Sequence, residues 1–171
     1  MNDRRTLEIH TSPHIASGAS VNVIMRNVVF ALLPVAAFAV YSFGLAALLT
    51  LLVAVASCVA TEHFMSRTGD GESTVHDWSV TITGLLYGLT LPPALPLWMV
   101  AAGGIIGVAM GKYLFGGLGY NAFNPALVGR AFLQAAFPVA MTSWMPAMQA
   151  DRFTSLPAST LTFPFAAPVY D

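Results

Sequence analysis

No charged residue interrupts positions 28–61, and one glycine, Gly44, splits that stretch into two apolar runs. A helix needs about 20 largely apolar residues to cross the hydrocarbon core of a bilayer. "VVFALLPVAAFAVYSF" (28–43) and "LAALLTLLVAVASCVAT" (45–61) therefore read as two spans joined by a tight turn. Pro34 lies inside the first and predicts a kink. The whole chain agrees: of its 171 residues 56% are hydrophobic and only 9% charged, against roughly 25% charged in soluble domains. A soluble fold of this size has too little polar surface to cover so much apolar material. The expectation is an all-α, polytopic membrane protein.

Three more apolar segments follow a polar loop. "WSVTITGLLYGLTL" (78–91) covers only about 21 Å at helical rise and stops at Pro92-Pro93. Residues 97–110 form a fourth segment and 126–144 a fifth. The organisation expected is a cytoplasmic segment over 1–27, a membrane domain of about five helices over 28–144, some short or broken, and an irregular outward-facing tail over 145–171. Lys and Arg residues number seven. With the N-terminus inside, Arg4, Arg5, Arg26, Arg67, Lys112 and Arg130 fall on or near the cytoplasmic side and only Arg152 falls outside, a strong positive-inside bias. Trp78, Trp98 and Trp144 sit at the proposed span ends, as interfacial tryptophans do.

Gly103, Gly107 and Gly111 recur every fourth residue, with Gly104 beside them. That spacing lines one helix face with glycine and admits a second helix at close range. The short third segment, stopped by Pro-Pro, has two readings that the residues alone leave open. One is a broken helix that brings backbone groups to a pathway. The other is a short span completed by Ala94 to Trp98 through tilt or a bent loop.

"GKYLFGGLGYNAFNPALVGRAF" (111–132) is the most specified loop. Asn124 followed by Pro125 fits a helix N-cap and first turn. Gly116, Gly117 and Gly119 allow close backbone approach, and Asn121 lies among them. Helix-start N–H groups attract anions, and Lys112 and Arg130 bracket the site. A flavin or phosphate contact and an ordinary cytoplasmic turn are the two readings.

The remaining features carry less chemistry. His10, His14, His63 and His76 lack ligand spacing, so no metal site is expected. Cys58 suits a buried small hydrophobe. Glu62 and Asp77 read as edges of a solvated loop, and no span holds an acid near its centre. Net charge is −1 and no basic stripe occurs, which argues against nucleic acid as a partner. The N-terminal twenty residues are polar, unlike a cleaved signal peptide.

Taken together, "SPH" (12–14), "IMRNVVFALLP" (24–34), "LTLPPALPLWMV" (89–100) and "GKYLFGGLGYNAFNPALVGRAFL" (111–133) resemble the D subunit of the Rnf electron transport complex. The related alternative is the B subunit of the sodium-translocating NADH:quinone reductase. The reductase family usually has a longer cytoplasmic extension, so the short N-terminus favours the Rnf reading. The resemblance implies a bacterial inner-membrane protein that couples electron transfer between ferredoxin and NAD to ion movement. Its partners would be the other membrane and peripheral subunits and the lipid bilayer. It also implies a ten-helix fold of two related halves, of which these residues resemble the first. FMN is expected as a covalent cofactor, with riboflavin as a second flavin. The family links FMN to a threonine in a Ser/Thr-Gly-Ala-Thr motif on the outer side. No such motif occurs here, and it is expected beyond Asp171. Ser17-Gly18-Ala19-Ser20 is a decoy on the wrong side. Under this reading Gly116, Gly117, Gly119, Asn121, Asn124, Pro125 and Arg130 shape a flavin or ion-path region, and no catalytic residue is assigned. A non-redox channel or carrier is the reading from another class.

Overall fold

The computed structural model describes residues 20–68, 78–115 and 123–164. Six α-helices appear in order: α1 (Val21–Phe43), α2 (Leu45–Thr68), α3 (Ser79–Leu89), α4 (Leu97–Gly111), α5 (Pro125–Ala136) and α6 (Pro138–Thr142). Short 3-10 turns follow α4 (Tyr113–Phe115) and close the tail (Ala158–Leu161). No strand occurs among the described residues.

The first helix begins earlier than the apolar run alone suggests. Ser20 caps it, its hydroxyl accepting from the Val23 N–H at 3.4 Å. The helix continues through Pro34. Its windings lie largely open, with Phe30, Val35 and Phe38 outward. Gly44 then reverses the chain at φ 69°, a conformation that favours glycine.

Helix α2 is the spine. Ala47, Leu51, Ala54 and Cys58 are buried at helical spacing, and α3 and α4 pack along its length. At about 36 Å α2 exceeds the hydrocarbon thickness. It runs to Thr68, past the end predicted at Thr61, so Glu62 and His63 are helical and not loop.

Helix α3 is the shortest of the first four, yet none of its residues is exposed. Two glycines let it approach α2: a Cβ on Gly84 would lie 2.7 Å from the Val55 Cα, and one on Gly88 3.0 Å from a Leu51 methyl. Four helices thus enclose a segment too short to span alone.

The glycine stripe of α4 packs as its spacing predicts. A Cβ at Gly107 would sit 2.6 Å from the Pro125 carbonyl oxygen, and one at Gly111 2.6 Å from the Pro125 Cα. Gly129 of α5 returns the contact: a Cβ there would lie 2.6 Å from the Gly103 carbonyl oxygen. Backbone meets backbone along this seam, and any side chain there would separate the helices.

The fifth segment is not one helix. It breaks at Phe137 (φ −135°, ψ 59°) into α5 and α6. Pro138 has no N–H to donate, its ring clashes with the preceding turn, and it drives the residue before it out of the helical region. The sequence expectation of a single span over 126–144 ran through this proline and is corrected here.

Over its described residues, 145–164, the tail is irregular apart from one 3-10 turn, and it is docked. Its backbone grips the α1–α2 turn: Leu45 N–H donates to the Arg152 carbonyl at 2.8 Å, and Met148 N–H to the Ser42 carbonyl at 2.7 Å. The Arg152 side chain donates to the Tyr41 carbonyl at 2.8 Å and lies 5.4 Å from the centre of the Tyr41 ring.

Candidate functional site

Two polar constellations interrupt the apolar core, one at each level of the bundle. The first joins α2, α3 and α4 near one end. Lys112 Nζ donates to Glu62 Oε1 at 2.8 Å and to Ser79 Oγ at 3.0 Å. Both partners of this ion pair are buried, Glu62 at 0% and Lys112 at 4% exposure. Tyr113 donates its hydroxyl to the Glu62 backbone carbonyl at 3.2 Å. Burial, followed by the nearby Glu62 carboxylate, pushes the Tyr113 phenol above its ordinary range. Two expectations are corrected. Glu62 is not a solvated loop edge, and Lys112 is not simply an exposed topology marker. Charged groups taken out of water must be paired and hydrogen-bonded to be tolerated, and these are.

The second constellation surrounds the non-helical stretch between α3 and α4. Leu91, Pro92, Leu95 and Pro96 are all buried. Irregular backbone at membrane depth survives only where protein covers it and satisfies its polar groups. Three side chains do so. Arg130 Nη1 donates to the Thr90 carbonyl at 2.8 Å, Thr50 Oγ1 to the Pro93 carbonyl at 3.2 Å, and Ser159 Oγ to the Ala94 carbonyl at 2.8 Å. Thr50 lies in the second turn of α2, about 9 Å from its Gly44 end. The stretch is therefore covered by protein toward the Gly44 end of the bundle, and the short helix α3 is followed by a bent, non-helical connection to α4. Tyr87 ties its two arms together by donating to the Val100 carbonyl at 2.9 Å.

The sequence-derived candidates divide among these places. Asn124 caps α5, its Oδ1 accepting from Ala126 N–H at 3.0 Å, and Pro125 is the first helical residue, both as expected. They border an open groove of about 360 Å³ with Met25, Ser79, Thr83 and Phe123. Arg130 is not beside them at the helix start. It lies in the second turn of α5, half-buried, and reaches the C-terminal end of α3, where a cation complements the helix dipole. Gly116, Gly117, Gly119 and Asn121 lie outside the described residues, as do His10, His14, His76 and Asp77.

The other features settle quietly. His63 is exposed, and no cluster of metal-ligating side chains exists among the described residues. Cys58 is buried against α4, its Sγ 3.9 Å from the Gly104 carbonyl. Trp98 is turned inward and meets Phe137 edge-on at 5.3 Å, whereas Trp78 and Trp144 are exposed. Neither the Lys112–Glu62 pair nor the Arg130–Thr90 contact was legible as a pairing, because each joins residues far apart in sequence. The one available signal was that Lys112 and Arg130 each adjoin a long apolar run.

A helical bundle with two long apolar helices, a buried broken segment and buried ionic groups is a polytopic membrane protein. The chain belongs to the NQR2, RnfD, RnfE family, whose model matches residues 8–166. It is 44% identical over 136 residues to the D subunit of the proton-translocating ferredoxin:NAD(+) oxidoreductase complex of Clostridium ljungdahlii, covering 80% of this chain and 41% of that protein. It is 45% identical over 137 residues to the D subunit of the Na(+)-translocating ferredoxin:NAD(+) oxidoreductase complex of Acetobacterium woodii, covering 80% and 43%. Against the D subunit of the ion-translocating oxidoreductase complex of Actinobacillus succinogenes the identity is 40% over 141 residues, covering 81% and 40%. The chain thus spans about two fifths of the length of the curated relatives it matches.

Proposed function

We propose that this protein is a membrane component of an Rnf-type, ion-translocating ferredoxin:NAD oxidoreductase complex. It would lie in the bacterial inner membrane with its N-terminus cytoplasmic. The observation that carries the reading is its 44% and 45% identity to the D subunits of two such complexes. These names favour it over the B subunit of a NADH:quinone reductase. The excess of Lys and Arg on one side supports the orientation, and the alternation of ends fits helices that run antiparallel. Gly44, the α3–α4 break and the tail meet at one end, and Glu62, Ser79, Lys112 and Tyr113 at the other. Its partners are the remaining subunits of the complex.

The complex is expected to work with flavin. These residues do not fit the covalent attachment of FMN: the sequence contains no Ser/Thr-Gly-Ala-Thr motif, and Ser20 of the near match is occupied as a helix cap. Any flavin held by this chain's own residues, riboflavin included, is therefore non-covalent. The groove beside Asn124 and Pro125 is the proposed place for it, because it is open and lined by the two candidate residues that begin α5.

The test is ferredoxin-driven NAD reduction in membrane vesicles with ion uptake followed in parallel, with and without this protein. Loss of coupled uptake on deletion, restored by the gene in trans, is expected. Coupled uptake that persists without the protein would refute the reading. Flavin extracted with the purified complex but absent from the Asn124→Leu variant would support the groove. Ion movement with no dependence on ferredoxin would favour a non-redox channel or carrier.

A further inference from the structure

Two cavities adjoin at the Gly44 end of the bundle. The larger, about 420 Å³, is lined by Trp144, Gln149, Asp151, Arg152, Ser155 and Ser159, among others. Small-molecule sites typically measure about 300–1,000 Å³. The smaller, about 50 Å³, is a slot between α1, α2 and the end of α3, with Ala39, Phe43, Ala47, Leu51 and Gly88 in its walls. Trp144 lines both. The first cavity carries a charge of each sign. The second is apolar apart from Thr50, whose hydroxyl is already given to the Pro93 carbonyl.

Their level in a bilayer follows from α1 and α2, the two described helices long and apolar enough to cross one. Arg152 clasps the joint between them. Its Nε donates to the Tyr41 carbonyl at 2.8 Å, and its own carbonyl accepts from Leu45 N–H at 2.8 Å. The charged cavity therefore lies where the two spans end, at the membrane–water boundary. Leu51 stands about 9 Å inward of Leu45 at helical rise, so the slot runs from that boundary toward the hydrocarbon.

The charges are held in place. Arg152 Nη1 donates to the Gln149 carbonyl at 2.9 Å, and the guanidinium lies 5.4 Å from the Tyr41 ring centre and 4.8 Å from that of Phe153. Among the described residues only Nε and Nη1 are engaged, which leaves Nη2 for an arriving anion. The Ser155 hydroxyl and a backbone bond hold the Asp151 carboxyl below its ordinary value of 3.8, so it is an anion at neutral pH. Trp144 is exposed, at the level where tryptophans meet lipid headgroups.

We propose that this pair of cavities holds one phospholipid of the bilayer, with an ethanolamine headgroup. The lipid phosphate accepts from the Arg152 guanidinium, a charge-assisted bond, and the ammonium donates to the Asp151 carboxylate. One acyl chain starts down the slot beside Trp144. The other lies on the open side of α1, where Val35 and Phe38 face outward. Two opposite charges on one cavity select a zwitterion over an anionic lipid, whose headgroup offers Asp151 no cation. The inference needs α1 and α2 to cross a membrane, and does not depend on the redox chemistry of a complex.

The experiment uses the natural gene product in the membrane assembly it forms, in vesicles of equal parts phosphatidylethanolamine and phosphatidylglycerol. Trace probes of each lipid carry a photoactivatable diazirine on the acyl chain close to the glycerol, and crosslinks are mapped by peptide mass spectrometry. The ethanolamine probe should label the slot residues of α1 and α2 about tenfold more than the glycerol probe, the worth of one charged hydrogen bond. At Leu48, exposed at the same level of α2 but outside the slot, the two should label equally. Asp151→Asn should erase the preference, and Ala39→Leu, which fills the slot, should lower labelling there by both probes. Equal labelling of the slot by the two lipids in the unaltered protein overturns the proposal, and that comparison needs no variant. So does a preference that survives Asp151→Asn, or slot labelling that Ala39→Leu leaves unchanged. Ferredoxin and NAD take no part in the readout, so its failure is separate from failure of the Rnf reading.

Discussion

Replacing Lys112 by methionine would keep most of its volume and remove its charge, leaving the Glu62 carboxylate buried without its ammonium. At 2.8 Å the gross attraction is about 6 kcal/mol at an effective dielectric of about 20. Desolvation of two fully enclosed charges opposes it by several kcal/mol per ion, so the intact pair is near balance. The single deletion is different. It removes the attraction and leaves the desolvation cost of Glu62 in place, which amounts to about 3–5 kcal/mol. At about 2–4 °C per kcal/mol for a protein of this size, the melting temperature should fall by about 6–20 °C. The assay is thermal unfolding of the detergent-solubilised complex, followed by fluorescence-detected size exclusion. The Glu62→Leu/Lys112→Met double variant should recover most of the loss, since an apolar pair of similar volume replaces both charges. If the two single losses simply add in the double variant, the pair is not coupled and the reasoning fails.

Other consequences are testable in the same material. Gly107→Ala would force a methyl to 2.6 Å from the Pro125 carbonyl oxygen and should cost about 1–3 kcal/mol by overpacking, read as a lower melting temperature; Ile105→Ala on the exposed side of α4 should not. Thr50→Val removes the donor to the buried Pro93 carbonyl and should cost about 1–3 kcal/mol, seen as faster proteolysis of the tail and break. Asp151 accepts from the Ser155 hydroxyl at 2.6 Å, and this bond, with a backbone bond, holds its carboxyl below the ordinary value of 3.8. The folded value being lowered, its contribution is present above the ordinary value and lost as the pH falls through the folded one. Ser155→Ala should raise the pH at which Asp151 titrates, measured by carboxyl-carbon NMR.

Much of this architecture could be read from the order of residues, and the exceptions share a cause. The helices α1, α2 and α4 follow from uninterrupted apolar length. The α4–α5 seam follows from four-residue glycine spacing, and the α5 start from Asn124-Pro125. These are local signals. Glu62 looked solvated because it stands where the apolar run ends, but α2 continues to Thr68, about two more turns, and carries it against Lys112, fifty residues away. The Arg130 contact with the Thr90 carbonyl joins residues forty apart, and no local pattern marks it. The break at Phe137 was visible in Pro138, but the apolar pattern continues across it and hid the change of direction. The docking of the tail on Gly44 depends on backbone partners, which side-chain patterning does not encode.

The α3–α4 break also bears on what its backbone oxygens are free to bind. Bare carbonyl oxygens at such a break are the groups that replace a cation's water shell. Here the Thr90, Pro93 and Ala94 oxygens already accept from a guanidinium and two hydroxyls, and the Pro92 oxygen accepts from Leu95 N–H. An arriving cation would have to compete with these donors, and at Thr90 with a like charge. In this conformation the break is therefore a latched door, held from α2, from α5 and from the tail, each on a different part of the chain.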